Sequence, residues 1–310
     1  MQERLGTADD TATGGPPLRE EQRGPIAVLT LDRPQSRNTL SEAMLSALQT
    51  AIDRASADRG VRAVIIAANG PAFCAGHDMK EMTGITGTDV DGGEAYFADL
   101  MDRCSTMMQS IVRSPKPFIA AIEGVATAAG CQLVATCDLA VAGDEARFAT
   151  PGVNIGLFCS TPMVALSRNV PRKQAMEMLL LGEMASAQQA VQYGLVNRVV
   201  PRGAAVAEAT SMAETIAAKS SATIAIGKQT FYRQLEAPLA AAYRDATSVM
   251  VRNMMLHDAA EGVGAFVDKR GRSGRTADKR LPHEPRPLRR RLHCGHPQHR
   301  EDHRHGGRLG

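Results

Sequence analysis

Two short stretches carry residue types that could do chemistry together. "FCAGHDM" occupies residues 73–79 and "ATAAGCQL" occupies residues 126–133. Each follows an apolar run that reads as a strand, and each is rich in Gly and Ala, which let a backbone approach closely. If neighbouring strands bring the two loops together, one backbone N–H from each could bind the same oxygen. That is an oxyanion hole, suited to an enolate or a tetrahedral anion in a dry pocket. A helix starting near Ala129 would add the positive end of its dipole. The plain alternative is close packing at two strand-to-helix turns, which are common. Gln132 stands just inside the second loop; its amide can orient a water or a carbonyl but cannot move a proton at neutral pH. His77 stands in the first, and an imidazole can act as acid or base. Cys159 would be a nucleophile only with a lowered pKa; with no His near it in sequence, it reads as a buried thiol.

The elements that must hold these loops are legible from periodicity. "IAVLTLDRP", "VRAVIIAANG" and "KPFIAAIEG" read as strands, and "DLAVAGDEARFAT" as a fourth strand with a short extended piece. "TLSEAMLSALQTAIDRASAD" reads as a helix behind a Thr or Ser cap, and residues 94–113 as a second helix. This alternation predicts an α/β class with a mostly parallel sheet and right-handed crossovers. After Gly156 the pattern turns helical, near 160–169, 171–181, 186–193, 203–219 and 222–256. The expected organisation is a disordered N-terminus over 1–24, an α/β core over 25–200, a helical part over 201–270 and a disordered basic tail over 271–310.

Composition excludes several classes. Aromatics make up 4% of the 310 residues and Trp is absent, which argues against a base-stacking nucleic-acid binder. The net charge of +3 hides two regions: from Arg270 onward there are 12 Lys/Arg against 4 Asp/Glu, a net of +8, which leaves residues 1–269 at −5. No basic groove for nucleic acid is implied. No apolar run is long enough to span a bilayer. The six Cys form no CxxC pair and no zinc spacing, so no metal is expected, and they read as reduced thiols of a cytoplasmic protein. The N-terminal stretch lacks the apolar run of a secretory leader, and its acidic residues argue against a mitochondrial transit peptide.

The order of these segments resembles the crotonase, or enoyl-CoA hydratase/isomerase, superfamily. The matching pieces are "LDRPQSRNTLSEAML", "FCAGHDMKEM", "PKPFIAAIEGVATAAGCQLVATCDLAVAGDEARFATPGVNIGLF", "LLLGEMASAQQAVQYGLVNRVVP" and "EGVGAFVDKR", spanning about residues 25–270. The wording "ATAAGCQL" and "FATPGVNIGLFCSTP" looks like one subgroup in particular. The resemblance implies a spiral of ββα units with a helical C-terminal trimerisation part, homo-oligomers (a trimer, or a hexamer as a dimer of trimers), and an acyl-CoA ligand in fatty-acid metabolism. It implies no cofactor beyond the coenzyme A thioester itself. It assigns the thioester oxygen to the backbone N–H groups of His77 and Ala129. It maps CoA contacts onto Arg37, Thr39, Ala75, Asp78 and Met79, with Phe266 and Lys269 reaching the CoA of a neighbouring subunit.

The chain departs from a hydratase at two places. The family's two catalytic glutamates correspond to Gln132 and to Gly152 of "FATPGV". Both carboxylates are gone, so classical hydration should be very slow. Two function classes remain. One is an enzyme, an isomerase, decarboxylase or weak hydratase, that relies on enolate stabilisation. The other is a non-catalytic acyl-CoA binder. Asp144, Glu145 and Glu123 flank the core motifs and read as capping, pairing or solvated acids. In the tail, "HCGHPQHREDHRH" has metal-binding residue types and "RPLRRR" phosphate-binding ones, but the stretch lacks the apolar content to fold and reads as unstructured.

Overall fold

The computed structural model describes residues 15–83 and 93–271. Its first strand, β1 (Leu18–Arg23), falls inside the stretch expected to be disordered, so order begins earlier than the sequence suggested. One buried leucine followed by five exposed residues gives it no readable pattern; it is held by antiparallel pairing to β2 (Ile26–Leu31). Residues 1–14 and 272–310, with the tail motifs and Cys294, lie outside the described residues.

After β2 a 3-10 turn (Pro34–Ser36) leads to α1 (Glu42–Ala57), which Ser41 caps by accepting from the Met44 N–H. Then come β3 (Ala63–Ala68), β4 (Ala72–Cys74), α2 (Met79–Thr83) and α3 (Glu94–Arg113). The next unit is β5 (Phe118–Ile122), β6 (Val125–Thr127) and α4 (Ala129–Thr136). The third is β7 (Leu139–Gly143), β8 (Arg147–Ala149), a 3-10 turn (Pro151–Ile155) and α5 (Ser160–Asn169). α6 (Arg172–Leu181), β9 (Ala185–Ser186), α7 (Ala187–Gln192) and β10 (Arg198–Val200) follow. The chain closes with α8 (Ala205–Ala217), α9 (Ser221–Leu235), α10 (Leu239–Met254) and α11 (His257–Val267).

Each repeating unit places its first strand in one sheet and its second in another. The six-stranded sheet has the order β1-β2-β3-β5-β7-β10 and is parallel apart from β1. The four-stranded sheet has the order β4-β6-β8-β9, with β4, β6 and β8 parallel. The chain thus winds as a spiral of ββα turns. The main core lies where α1, α3 and α4 cover one face of the large sheet, around Phe73, Phe118 and Phe148. On the other face α8 lays Ala205, Ala209 and Ala213 against Ile26, Val28 and Ile65. Alanines four residues apart form one smooth stripe, which lets this helix sit close to the strands.

Candidate functional site

The two Gly-rich loops meet because β4 and β6 are hydrogen-bonded neighbours. The approach is tight enough to demand glycine. A Cβ on Gly76, whose φ is +98°, would lie 2.9 Å from the Ala128 Cβ and 3.5 Å from the Ala129 nitrogen. A Cβ on Gly130 would run into the Cys74 carbonyl oxygen. The Thr127 hydroxyl donates to the Ala75 carbonyl at 3.2 Å, tying one loop to the other.

Ala128 has φ 50° and ψ −120°, a region that side chains rarely occupy. Strain of this kind costs on the order of 1–3 kcal/mol and persists only where the surroundings enforce it. Here the Ala128 N–H is held by the Ala149 carbonyl at 2.9 Å, and its own carbonyl accepts from the Gln132 N–H at 3.0 Å. The result is an abrupt turn that starts α4 at Ala129, whose N–H has no carbonyl one turn back to bond. In the first loop, no backbone carbonyl among the described residues accepts from the His77 N–H.

The first loop rests on the turn before α1. Leu40 donates to the Gly76 carbonyl at 2.7 Å, Ala75 donates to the Arg37 carbonyl at 3.1 Å, and the Thr39 hydroxyl donates to Asp78 at 2.9 Å. Arg37 and Asn38 both have positive φ, at 55° and 53°. Asn38 is the residue that sequence reasoning missed. It is fully buried; its Oδ1 accepts from the Arg33 N–H at 2.7 Å, and its Nδ2 donates to the Asn69 and Ala72 carbonyls, each at 2.8 Å. The available signal was an Asn next to a Pro turn, since Asn tolerates the left-handed region. The two segments that carry Arg37, Thr39, Ala75, Asp78 and Met79 are therefore held side by side. Phe266, at the end of α11, is 85% exposed, its ring uncovered by its own chain, and Lys269 follows with φ 51°.

Gln132 is 5% exposed and its Oε1 has no hydrogen-bond partner. The same holds for the Thr150 hydroxyl. At Gly152 the chain folds back on itself: the Leu157 N–H donates to the Gly152 carbonyl at 2.9 Å. A Cβ there would lie 2.5 Å from the Leu157 carbonyl oxygen and 3.0 Å from the Cys159 sulfur. The position has no side chain and also no room for one.

Burial sets the ionisation of the reactive groups. Burial lowers the His77 pKa, while the Leu40 backbone opposes this to a smaller extent without reaching hydrogen-bond geometry. The ring is thus kept neutral near neutral pH. Burial raises the Cys159 thiol, with the Gly152 backbone pulling the other way, and pushes the Cys74 and Cys131 thiols up to about 12. These are unreactive thiols. The flanking acids are occupied: Glu123 caps the start of α8 by accepting from the Gly203 and Ala205 N–H groups, Asp144 accepts from the Arg202 N–H, and Glu145 pairs with the Arg202 guanidinium. Among the described residues no cluster of His, Cys, Asp or Glu could hold a metal ion.

Comparison with known proteins follows the same lines. The family model described as enoyl-CoA hydratase/isomerase matches residues 21–273. The rat protein named enoyl-CoA hydratase domain-containing protein 3, mitochondrial, is 48% identical over 249 residues, covering 80% of this chain and 81% of that protein. The crystal structure of Mycobacterium smegmatis enoyl-CoA hydratase superposes with a TM-score of 0.79 at 52% identity, over 83% of this chain and 98% of that one. The human enoyl-CoA hydratase domain-containing protein 3 structure gives 0.78 at 46%, over 83% and 100%. The subgroup likeness of the "ATAAGCQL" wording is thereby borne out. The cytoplasmic placement is not: the rat and human relatives carry a mitochondrial designation. Reduced thiols separate reducing from oxidising compartments, not the cytosol from a mitochondrial interior, and a few acidic residues near the start were too weak a signal.

Proposed function

We propose that this chain, which belongs to the enoyl-CoA hydratase/isomerase family, binds an acyl-CoA thioester and stabilises negative charge on its carbonyl oxygen, with hydration reduced to a residual activity. The backbone N–H groups of His77 and Ala129 are the proposed oxyanion donors, aided by the N-terminal end of α4. The observation that carries this reading is the enforced turn at Ala128 against Gly76, a strained backbone kept where the loop before His77 presses on the start of α4. Donors fixed before the reaction stabilise developing charge without reorganising, which is where such sites gain most of their effect. Arg37, Thr39, Ala75, Asp78 and Met79 form the proposed CoA contact. Arg37 supplies a charge for phosphate, and the small Ala75 leaves space for the adenine.

The proton-transfer step is what this chain lacks. Gln132 can accept a hydrogen bond through its unpartnered Oε1 and so orient a water or a hydroxyl, but it holds no proton to give. His77 is kept neutral, and its place in the proposal is its backbone. An enolate-forming reaction that needs little acid–base help, such as decarboxylation or isomerisation of an acyl thioester, suits this equipment better than addition of water. The closed turn at Gly152 favours a second reading, a non-catalytic acyl-CoA binder, because it removes the space for the second carboxylate as well as the group.

Homo-oligomers, a trimer or a hexamer, are part of the proposal. Leu239, Tyr243, Met254, Phe266 and Val267 are largely exposed on the last helices, an apolar surface typical of subunit contact. Phe266 and Lys269 would then reach a neighbouring subunit's CoA. The test is crotonyl-CoA with purified protein, following loss of the conjugated-thioester absorbance beside calorimetric binding. Binding without appreciable turnover is expected. Hydration at rates typical of the family's active members would overturn the argument from the lost glutamates, and absence of binding would overturn the acyl-CoA reading.

A further inference from the structure

α9 carries no fully buried residue. It still ties α10, against which α11 packs, to the rest of the chain, through Thr223 with Asn253 and Arg233 with Asp245. Its attachment to the body is polar. Lys228 and Tyr232, one helical turn apart on the same face, both reach Asp138. The Lys228 ammonium meets Asp138 Oδ2 at 2.7 Å, and the Tyr232 hydroxyl donates to Asp138 Oδ1 at 2.9 Å. Lys228 also donates to the Ile111 carbonyl at 2.8 Å and the Lys116 carbonyl at 2.7 Å, and lies 5.2 Å from the centre of the Phe118 ring. Its three N–H bonds thus have three acceptors, and its side chain is only 6% exposed. Asp138 Oδ2 also accepts from the Phe118 N–H at 2.7 Å. Two further polar ties from this region, Arg62 with the Lys219 carbonyl and Arg168 with Glu236, are exposed.

Asp138 lies two residues beyond the last residue of α4, whose first residue is Ala129. α4 is eight residues long and buried throughout, a rod of about 12 Å at 1.5 Å per residue. A shift at one end of so short a rod appears at the other. We propose that Lys228, Asp138 and Tyr232 form a positioning cluster that couples the seating of the C-terminal helices to the alignment of the Ala129 turn. A satisfied buried ion pair suits this role, since it specifies one geometry and leaves a charge unpaired in any other. The coupling is reciprocal: whatever seats the helices, a second subunit included, steadies the turn, and a ligand at the turn steadies the helices. The ligand-binding part of the argument rests on the acyl-CoA reading above; the coupling itself does not.

The test is amide hydrogen exchange on the full chain for the wild type, Lys228→Met and Tyr232→Phe, with the affinity for butyryl-CoA measured in parallel. In Lys228→Met, exchange should rise about tenfold or more over 221–267 and also over 129–136, and butyryl-CoA should bind about tenfold more weakly, the scale of a lost charged hydrogen bond. Tyr232→Phe should change the same two regions in the same direction by a smaller factor, and it decides the matter if Lys228→Met does not fold. Faster exchange confined to 221–267, with 129–136 unchanged, would overturn the coupling and leave only a latch. No change in either region would overturn it outright. If the wild type binds no butyryl-CoA, the acyl-CoA reading fails while the exchange data still judge the coupling.

Discussion

Restoring a carboxylate at Gly152 should damage the fold before it helps the chemistry, and Gly152→Ala isolates the reason. The backbone at Gly152 does not need a positive φ, so a methyl group there acts through space alone. An ideal Cβ would sit 2.5 Å from the Leu157 carbonyl oxygen, 3.3 Å from its carbon and 3.0 Å from the Cys159 sulfur. The oxygen and carbon belong to a backbone fixed by the Leu157 N–H bond to the Gly152 carbonyl, so the strain cannot be relieved by turning a side chain. Overpacking of this kind costs about 1–3 kcal/mol, and opening the turn adds about 1 kcal/mol for the lost hydrogen bond. At roughly 2–4 °C per kcal/mol for a chain of this size, Tm should fall by about 4–16 °C, measured by scanning calorimetry. Gly152→Glu carries the same Cβ and should lose at least as much. Gln132→Glu needs no new space and restores one of the two groups, with a gain in crotonyl-CoA hydration bounded by about 10²–10⁴-fold. A Gly152→Ala protein melting within a degree of the wild type would refute the steric argument. The turn would then be soft, and the second glutamate could have been lost without closing its space.

The other predictions concern the frame and the thiols. Gly130→Ala should be more damaging than Gly152→Ala, since its Cβ would meet the Cys74 carbonyl deep in the core; no soluble folded protein is expected on size-exclusion chromatography. Asn38→Ala removes an acceptor and two donated bonds from a fully buried site and should lower stability in urea by about 2–4 kcal/mol, the scale of several buried polar groups left unpaired. For His77 the folded pKa lies below the unfolded one, so the unfolded chain takes up a proton first. Stability should therefore fall as pH drops below about 6.5, the ordinary His value, until the folded pKa is reached, and His77→Gln should flatten that part of a Tm-against-pH curve. Burial holds the thiols of Cys74, Cys104, Cys131, Cys137 and Cys159 well up, so iodoacetamide at pH 8 should leave these five unlabelled in the native protein and label them in guanidinium.

What the sequence disclosed follows the range of each signal. The helix read at about 94–113 was legible because twenty positions carry one period. The strands of the small sheet, β4, β6 and β8, are three residues each, too short for any alternation to show. The two loops were legible as a pair because Gly and Ala mark close approach. The residue that bends the second loop was not, because Ala128 is an ordinary alanine whose φ of 50° is imposed by Ala149 from a neighbouring strand and by Gly76 from the other loop. Gly152 shows the same divide. Its lack of a carboxylate could be read from one letter, but the closure of the space depends on Leu157, five residues on, folding back over it. Lys228 lies furthest from view. A lysine in a helix with no buried neighbours on that helix reads as a solvated cation; its three partners come from residues 111, 116 and 138, ninety positions away at the nearest. Local sequence can announce a glycine's freedom or a carboxylate's loss, but not which distant carbonyls will converge on an ammonium. That is why the cluster joining the last helices to α4 had to come from the structure.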